Sequence, residues 1–85
     1  MHEGNFQTQV RLTFENPRTA LEEFSASLSD VVKLGAYFVD VRKLPDYGAV
    51  QAEFFKGNIP AQTAVEVSSL ELPGMLIEVE AIAVI

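Results

Sequence analysis

The chain has no cysteine and only one histidine, His2, in 85 residues. Without thiols there is no disulfide, no thiolate nucleophile and no cysteine-ligated zinc, a composition that fits a reducing compartment. His2 has no second ligand at metal-binding spacing, so neither a metal centre nor a histidine proton shuttle is expected, and no cofactor is called for. Bases are scarce as well: six Lys and Arg stand against twelve Asp and Glu, for a net charge of −6. The largest basic cluster is the pair Arg42-Lys43. Because phosphate neutralisation dominates affinity for DNA and RNA, nucleic acid is not an expected partner. No segment approaches a membrane span of about eighteen uninterrupted apolar residues, and the N-terminus has no basic stretch leading into an apolar run. A cytoplasmic protein without a membrane partner is expected.

What is abundant is apolar: 48% of the residues are hydrophobic, which marks a folded domain. No repeat, linker or low-complexity tract divides it, so residues 1–85 are expected to form a single domain, with about the first five residues disordered. A domain of this size buries little more than about 60% of its unfolded surface. Its core is thin, and oligomerisation is a natural remedy.

The first structured segment has two readings. Phe6, Val10, Leu12 and Phe14 alternate with Gln7, Gln9, Arg11, Thr13 and Glu15, the period of a strand. Val10, Phe14, Pro17, Leu21, Phe24 and Leu28 equally fall at spacings of four and three, the stripe of a long helix. Pro17 costs about 3 kcal/mol inside a helix. It costs little at the first helical position with Asn16 as N-cap. Next, Ser25 to Asp30 reads as a turn, and Val31 to Val41 as a central strand too densely apolar to be solvated on one face. Leu44-Pro45-Asp46 announces a second helix, with Asp46 as N-cap, Tyr47, Val50 and Phe54 as its buried stripe, and Gly57 just past its end. Gln62 to Val67 and Met75 to Ile85 read as two further strands. Between them, Pro73-Gly74 suits the centre of a type II turn.

In the last strand Ile77, Val79, Ala81, Ala83 and Ile85 point one way, and Glu78, Glu80, Ile82 and Val84 the other. The mixed Glu/Ile/Val face is a candidate for subunit contact. Tyr37, Phe38, Tyr47, Phe54 and Phe55 are core or interface aromatics. Gly35 marks a bulge or a close backbone approach.

The segment Asn58-Ile59-Pro60-Ala61-Gln62-Thr63-Ala64-Val65-Glu66-Val67, the Leu72-Pro73-Gly74 turn and Leu76-Ile77-Glu78-Val79-Glu80-Ala81-Ile82-Ala83-Val84 together resemble the signature end of the RidA family, also called YjgF or endoribonuclease L-PSP. Asp30-Val31-Val32-Lys33 and Asp40 also look like family positions, and Gln7 to Glu23 looks like the family's long first helix. On that resemblance we read one helix from Phe6 to Phe24, kinked near Pro17. The fold expected is α+β, RidA-like and chorismate-mutase-like, with two helices packed on one face of a small mixed sheet in the order α-β-α-β-β. The resemblance further implies homotrimers with ligand clefts between subunits.

Active members hydrolyse reactive imines and enamines. An arginine after the Pro-Ala pair fixes the substrate carboxylate by a two-pronged hydrogen bond, and an acid on the last strand positions the attacking water. Glu78 matches the catalytic acid, and the backbone beside Ala64 matches a ligand-contacting segment. Gln62 stands where the arginine is expected, and Gln51 where many members have asparagine. Members normally begin with further residues that form the first strands of the sheet, so the chain reads as a shortened relative.

These residues also have plainer readings. Gln62 is then a polar residue at a strand start, and Glu78 and Glu80 are charges that blunt a strand edge. The expected function is an oligomer that binds a small polar ligand at a subunit interface, through Gln62 and Ala64, without efficient catalysis. The alternative is an imine/enamine deaminase acting on 2-imino acids, with Lys33 or Arg42 of a neighbouring subunit replacing the lost arginine. A ribonuclease fits least, given the acidic charge and the lack of a histidine pair.

Overall fold

The computed structural model describes residues 5–84. His2 and most of the segment expected to be disordered lie outside the described residues. The elements in chain order are α1 (Phe6–Glu22), β1 (Val31–Phe38), α2 (Leu44–Phe55), β2 (Ala61–Glu66) and β3 (Ile77–Ala83), with 3-10 turns at Leu28–Asp30 and Val41–Lys43. This is the α+β arrangement expected: two helices on a three-stranded mixed sheet.

Helix α1 begins at Asn5, whose side chain accepts a hydrogen bond from the backbone N–H of Thr8 at 3.0 Å. It runs through Pro17, so the helical reading of the first segment holds and Asn16 is no N-cap. Phe6, Val10 and Phe14 are buried on one side. The stripe does not extend as far as the spacing predicts, because the helix stops at Glu22 and Phe24 is 71% exposed. Ser25, at φ 58, turns the chain away there.

β1 lies at the centre of the sheet, in the order β2-β1-β3, parallel to β2 and antiparallel to β3. It ends at Phe38 rather than Val41, since Asp40 accepts from the N–H of Arg42 at 3.0 Å and starts a 3-10 turn. Leu34, Ala36 and Phe38 are buried under the helices, while Lys33, Gly35 and Tyr37 alternate onto the uncovered face. The bulge falls between Val31 and Lys33 and not at Gly35. Gly35 is instead a close approach: a Cβ there would lie 3.2 Å from the Tyr37 hydroxyl.

In α2, Pro45 occupies the first turn and Asp46 lies within it rather than capping it, where its charge still suits the helix dipole. Tyr47 and Val50 are buried as predicted, joined by Gln51 and Phe55, with Phe54 packed at the margin. Lys56, left-handed at φ 52, and Gly57, at φ 87, end the helix. Phe14 sits at 5.4 to 5.6 Å from the rings of Tyr47, Phe54 and Phe55. It joins α1 to α2, and emptying such a position costs about 3–5 kcal/mol.

The connection into β3 is the turn predicted at Pro73-Gly74: Gly74 has φ 85, and Met75 N–H donates to the Leu72 carbonyl at 3.2 Å. The turn is fixed from α1 by Gln9, which is 2% exposed. Gln9 donates from Nε2 to the Gly74 carbonyl at 2.9 Å and accepts the Leu76 N–H on Oε1 at 2.8 Å.

Candidate functional site

Gln62, the second residue of β2, is in register with Leu34, which places it on the side of the sheet that carries the helices. From there its amide meets α2. Gln51 Nε2 donates to Gln62 Oε1 at 3.0 Å, and Gln62 Nε2 donates back to Gln51 Oε1 at 3.2 Å. The Tyr47 hydroxyl, one turn earlier on α2, donates to the same Gln62 Oε1 at 3.0 Å. Gln51 and Tyr47 are buried, and burial pushes the Tyr47 phenol far above the ordinary tyrosine range, which keeps it a protonated donor. Both lone pairs of the Gln62 oxygen are thus occupied, and one of its two N–H groups is used. The exposed remainder of the side chain offers a single neutral donor.

Two residues on, Ala64 is in register with Ala36 on the same face and is half-buried against the core. Gln62, Ala64 and Gln51 therefore form one contiguous patch where β2 passes α2. Sequence reasoning noted Gln51 but not Tyr47 as part of it. The signal available was the i, i+4 spacing of Tyr47 and Gln51, which puts both on one side of α2.

Glu78 is elsewhere. It is in register with Tyr37 on β3, so it belongs to the opposite edge strand and the uncovered face. With β1 between them, Gln62 and Glu78 are separated by about 10 Å of strand spacing alone. One chain does not bring the expected acid and the expected ligand contact together. Beside Glu78, a groove of about 370 Å³ runs between α1 and β3, lined in part by Leu12, Thr13, Asn16, Met75 and Val79.

The uncovered face also carries Glu80 and Lys33. Glu80 accepts a hydrogen bond from the Tyr37 hydroxyl at 3.2 Å. That negative charge, with Glu78 adding to it, raises the Tyr37 pKa above its usual value. Lys33 makes no salt bridge among the described residues. Val65 and Ile82, at 40% and 57% exposure, are apolar groups on the same face. Arg42 is engaged within its own chain: its Nε and Nη2 donate to the two oxygens of Asp40, each at 2.9 Å. This fork holds the Asp40 carboxyl below its usual pKa.

Among the described residues no group of three or more His, Asp or Glu is placed to hold a metal ion, and no helix is long and apolar enough to cross a membrane.

Comparison with known proteins places this geometry in context. The chain is 42% identical over 80 residues to a RutC family protein of Pyrococcus abyssi, covering 94% of this chain and 62% of that protein. It is 33% identical over 83 residues to the 2-iminobutanoate/2-iminopropanoate deaminase of Dermatophagoides farinae, covering 96% of this chain and 63% of the deaminase. It thus spans somewhat over 60% of the length of these curated relatives. Among solved structures, a YjgF-family protein from Mycobacterium tuberculosis superimposes with a TM-score of 0.90 at 33% identity, over 95% of this chain and 69% of that one. The profile of the endoribonuclease L-PSP family matches residues 1–85, and the chain belongs to that family.

Proposed function

We propose that this chain acts as a RidA-like homotrimer that binds a small polar ligand in clefts between subunits, without efficient catalysis. The observation that carries this reading is the Gln62 amide, closed onto Gln51 and Tyr47 at the position where the resemblance calls for a guanidinium. Hydrogen bonds to charged groups contribute about 1.5–3 kcal/mol each, and a neutral amide with one free N–H forfeits both the charge and the fork. The opposite-strand placement of Glu78 supports a cleft assembled from two subunits, since Gln62 and Ala64 of one chain can meet Glu78 only in another. The exposed Val65 and Ile82, on a face where Lys33 makes no salt bridge among the described residues, support that face as the contact surface.

One observation favours the alternative, a deaminase hydrolysing 2-imino acids to 2-oxo acids and ammonia. Lys33 is a cation without a salt bridge among the described residues, free to reach a neighbouring subunit's ligand, and two relatives carry the name 2-iminobutanoate/2-iminopropanoate deaminase. Arg42 serves this purpose less well because Asp40 holds it. The test is protein-dependent ammonia release from 2-iminobutanoate generated in solution. The binding reading expects none above solvent hydrolysis, and turnover proportional to protein concentration would replace it with the deaminase.

A further inference from the structure

The uncovered face of the sheet has two unlike ends. At one, Lys33 lies in register with Ile82 on β3 and Ala61 on β2. At the other, Tyr37 is flanked by Val65 on β2 and Glu78 on β3. Each end thus carries an exposed aliphatic side chain, Ile82 or Val65, and one charge, and the two charges are opposite. Glu80 lies between the ends, in register with Gly35.

Neither end charge is satisfied within the chain. Lys33 and Glu78 make no hydrogen bond or salt bridge among the described residues, although Glu78 is already half-buried. Four positions of β1 separate them, about 13 Å along the strand, and side chains that stand off a sheet do not reach across that distance. Glu80 is diagonal to Lys33, but its carboxylate accepts from Tyr37 and forms no salt bridge with the lysine.

A second copy of the chain supplies what each end lacks. If like ends came together, Lys33 would meet Lys33 and Glu78 would meet Glu78, each charge losing water against its own kind. When unlike ends meet, Lys33 gains a carboxylate, and Ile82 gains Val65 and the Tyr37 ring. A heterologous contact of this kind is also one that can close into a ring.

We infer that neighbouring copies of this chain meet head to tail across the uncovered face, with Lys33 of one seated against Glu78 of the next. This rests on the reading of that face as the contact surface, and it adds the orientation of the copies and the charges that select it. Lys33 is in register with Ala61, the residue before Gln62, so the same orientation carries Glu78 of one copy to the end of the sheet where Gln62 of the next lies.

The experiment measures self-association by sedimentation of the full-length chain, of Lys33→Glu, of Glu78→Lys and of the double variant that carries both. Each single variant sets like charges together at every contact, and the double variant restores opposite charges with the ends exchanged. The expected result is association of the unaltered chain that weakens with added salt, a dissociation constant raised about tenfold or more in each single variant, and recovery in the double variant. Urea unfolding of each variant separates a folding failure from lost association. Should a reversal fail to fold, Lys33→Gln and Glu78→Gln replace it, and each should abolish the salt dependence. Single variants that associate as tightly as the unaltered chain, or a double variant that does not recover, overturn the pairing; if Ile82→Asp still dissociates the protein, the face stands as the contact. Association that survives Ile82→Asp as well, or an unaltered chain that stays monomeric, overturns the contact face together with the pairing.

Discussion

Gln62 and Gln51 clasp each other's amides across the junction of β2 and α2, with the Tyr47 hydroxyl donating into the same oxygen. The pair does structural work at the place where the resemblance puts ligand chemistry. Removing one partner strands the other. Gln51→Leu should lower stability by about 1–2 kcal/mol, because it takes a donor and an acceptor from Gln62. Gln62→Leu should cost a similar amount, since it leaves buried Gln51 and Tyr47 short of partners. The double variant should lose clearly less than the sum, giving a coupling energy of about 1 kcal/mol in urea unfolding. Strict additivity would mean the two amides do not interact.

Gln9 carries a comparable load at the other edge of the sheet. It binds the turn before β3 on both sides, at the Gly74 carbonyl and the Leu76 N–H. Gln9→Leu should cost about 2–3 kcal/mol, a desolvation penalty for two backbone groups left unpaired. Amide hydrogen exchange at Leu76 should rise by more than the global loss of stability accounts for. Unchanged protection at Leu76 would show that the turn holds itself.

Much of the fold was legible in the sequence, and the misses share a cause. The stripe through Val10 and Phe14 offered a helical face that the family resemblance chose over a strand, and Pro73-Gly74 identified its turn. Both signals are local. The errors came where a side chain competes for the backbone. Asp40 starts a 3-10 turn by accepting from Arg42 N–H, which ends β1 while the apolar pattern continues to Val41. Asp46 looked like a cap, yet Pro45 already lies in the first turn of α2. Phe24 matched the helical period but follows the helix end and is exposed. The strands that carry Gln62, Ala64 and Glu78 could be read from the pattern, while the candidacy of these residues came from the family resemblance alone. The hydrogen-bonded closure of Gln62 could not be read, since it depends on how α2 docks against β2.

The Asp40 and Arg42 fork makes a prediction about pH. Its hydrogen bonds to Arg42 hold the Asp40 carboxyl below the usual value, so the folded protein keeps this carboxylate ionised where the unfolded chain has protonated it. The stabilisation it supplies is complete above the unfolded-state pKa of about 3.9 and is lost as pH falls through the lower folded value. The side-chain ¹³C titration of Asp40 should therefore have its midpoint below 3.9. In Arg42→Gln the midpoint should move up towards it. A midpoint unmoved by that substitution would mean the fork is not kept in solution.

The most direct test of the whole account compares turnover of 2-iminobutanoate by the unaltered protein and by Gln62→Arg under identical conditions. The account predicts no protein-dependent ammonia release from the unaltered chain, because one neutral N–H stands where a charged fork is needed. Any activity should appear only once the guanidinium is restored. Turnover by the unaltered chain, undiminished relative to the arginine variant, would contradict it and show that another cation, with Lys33 the first to examine, captures the carboxylate.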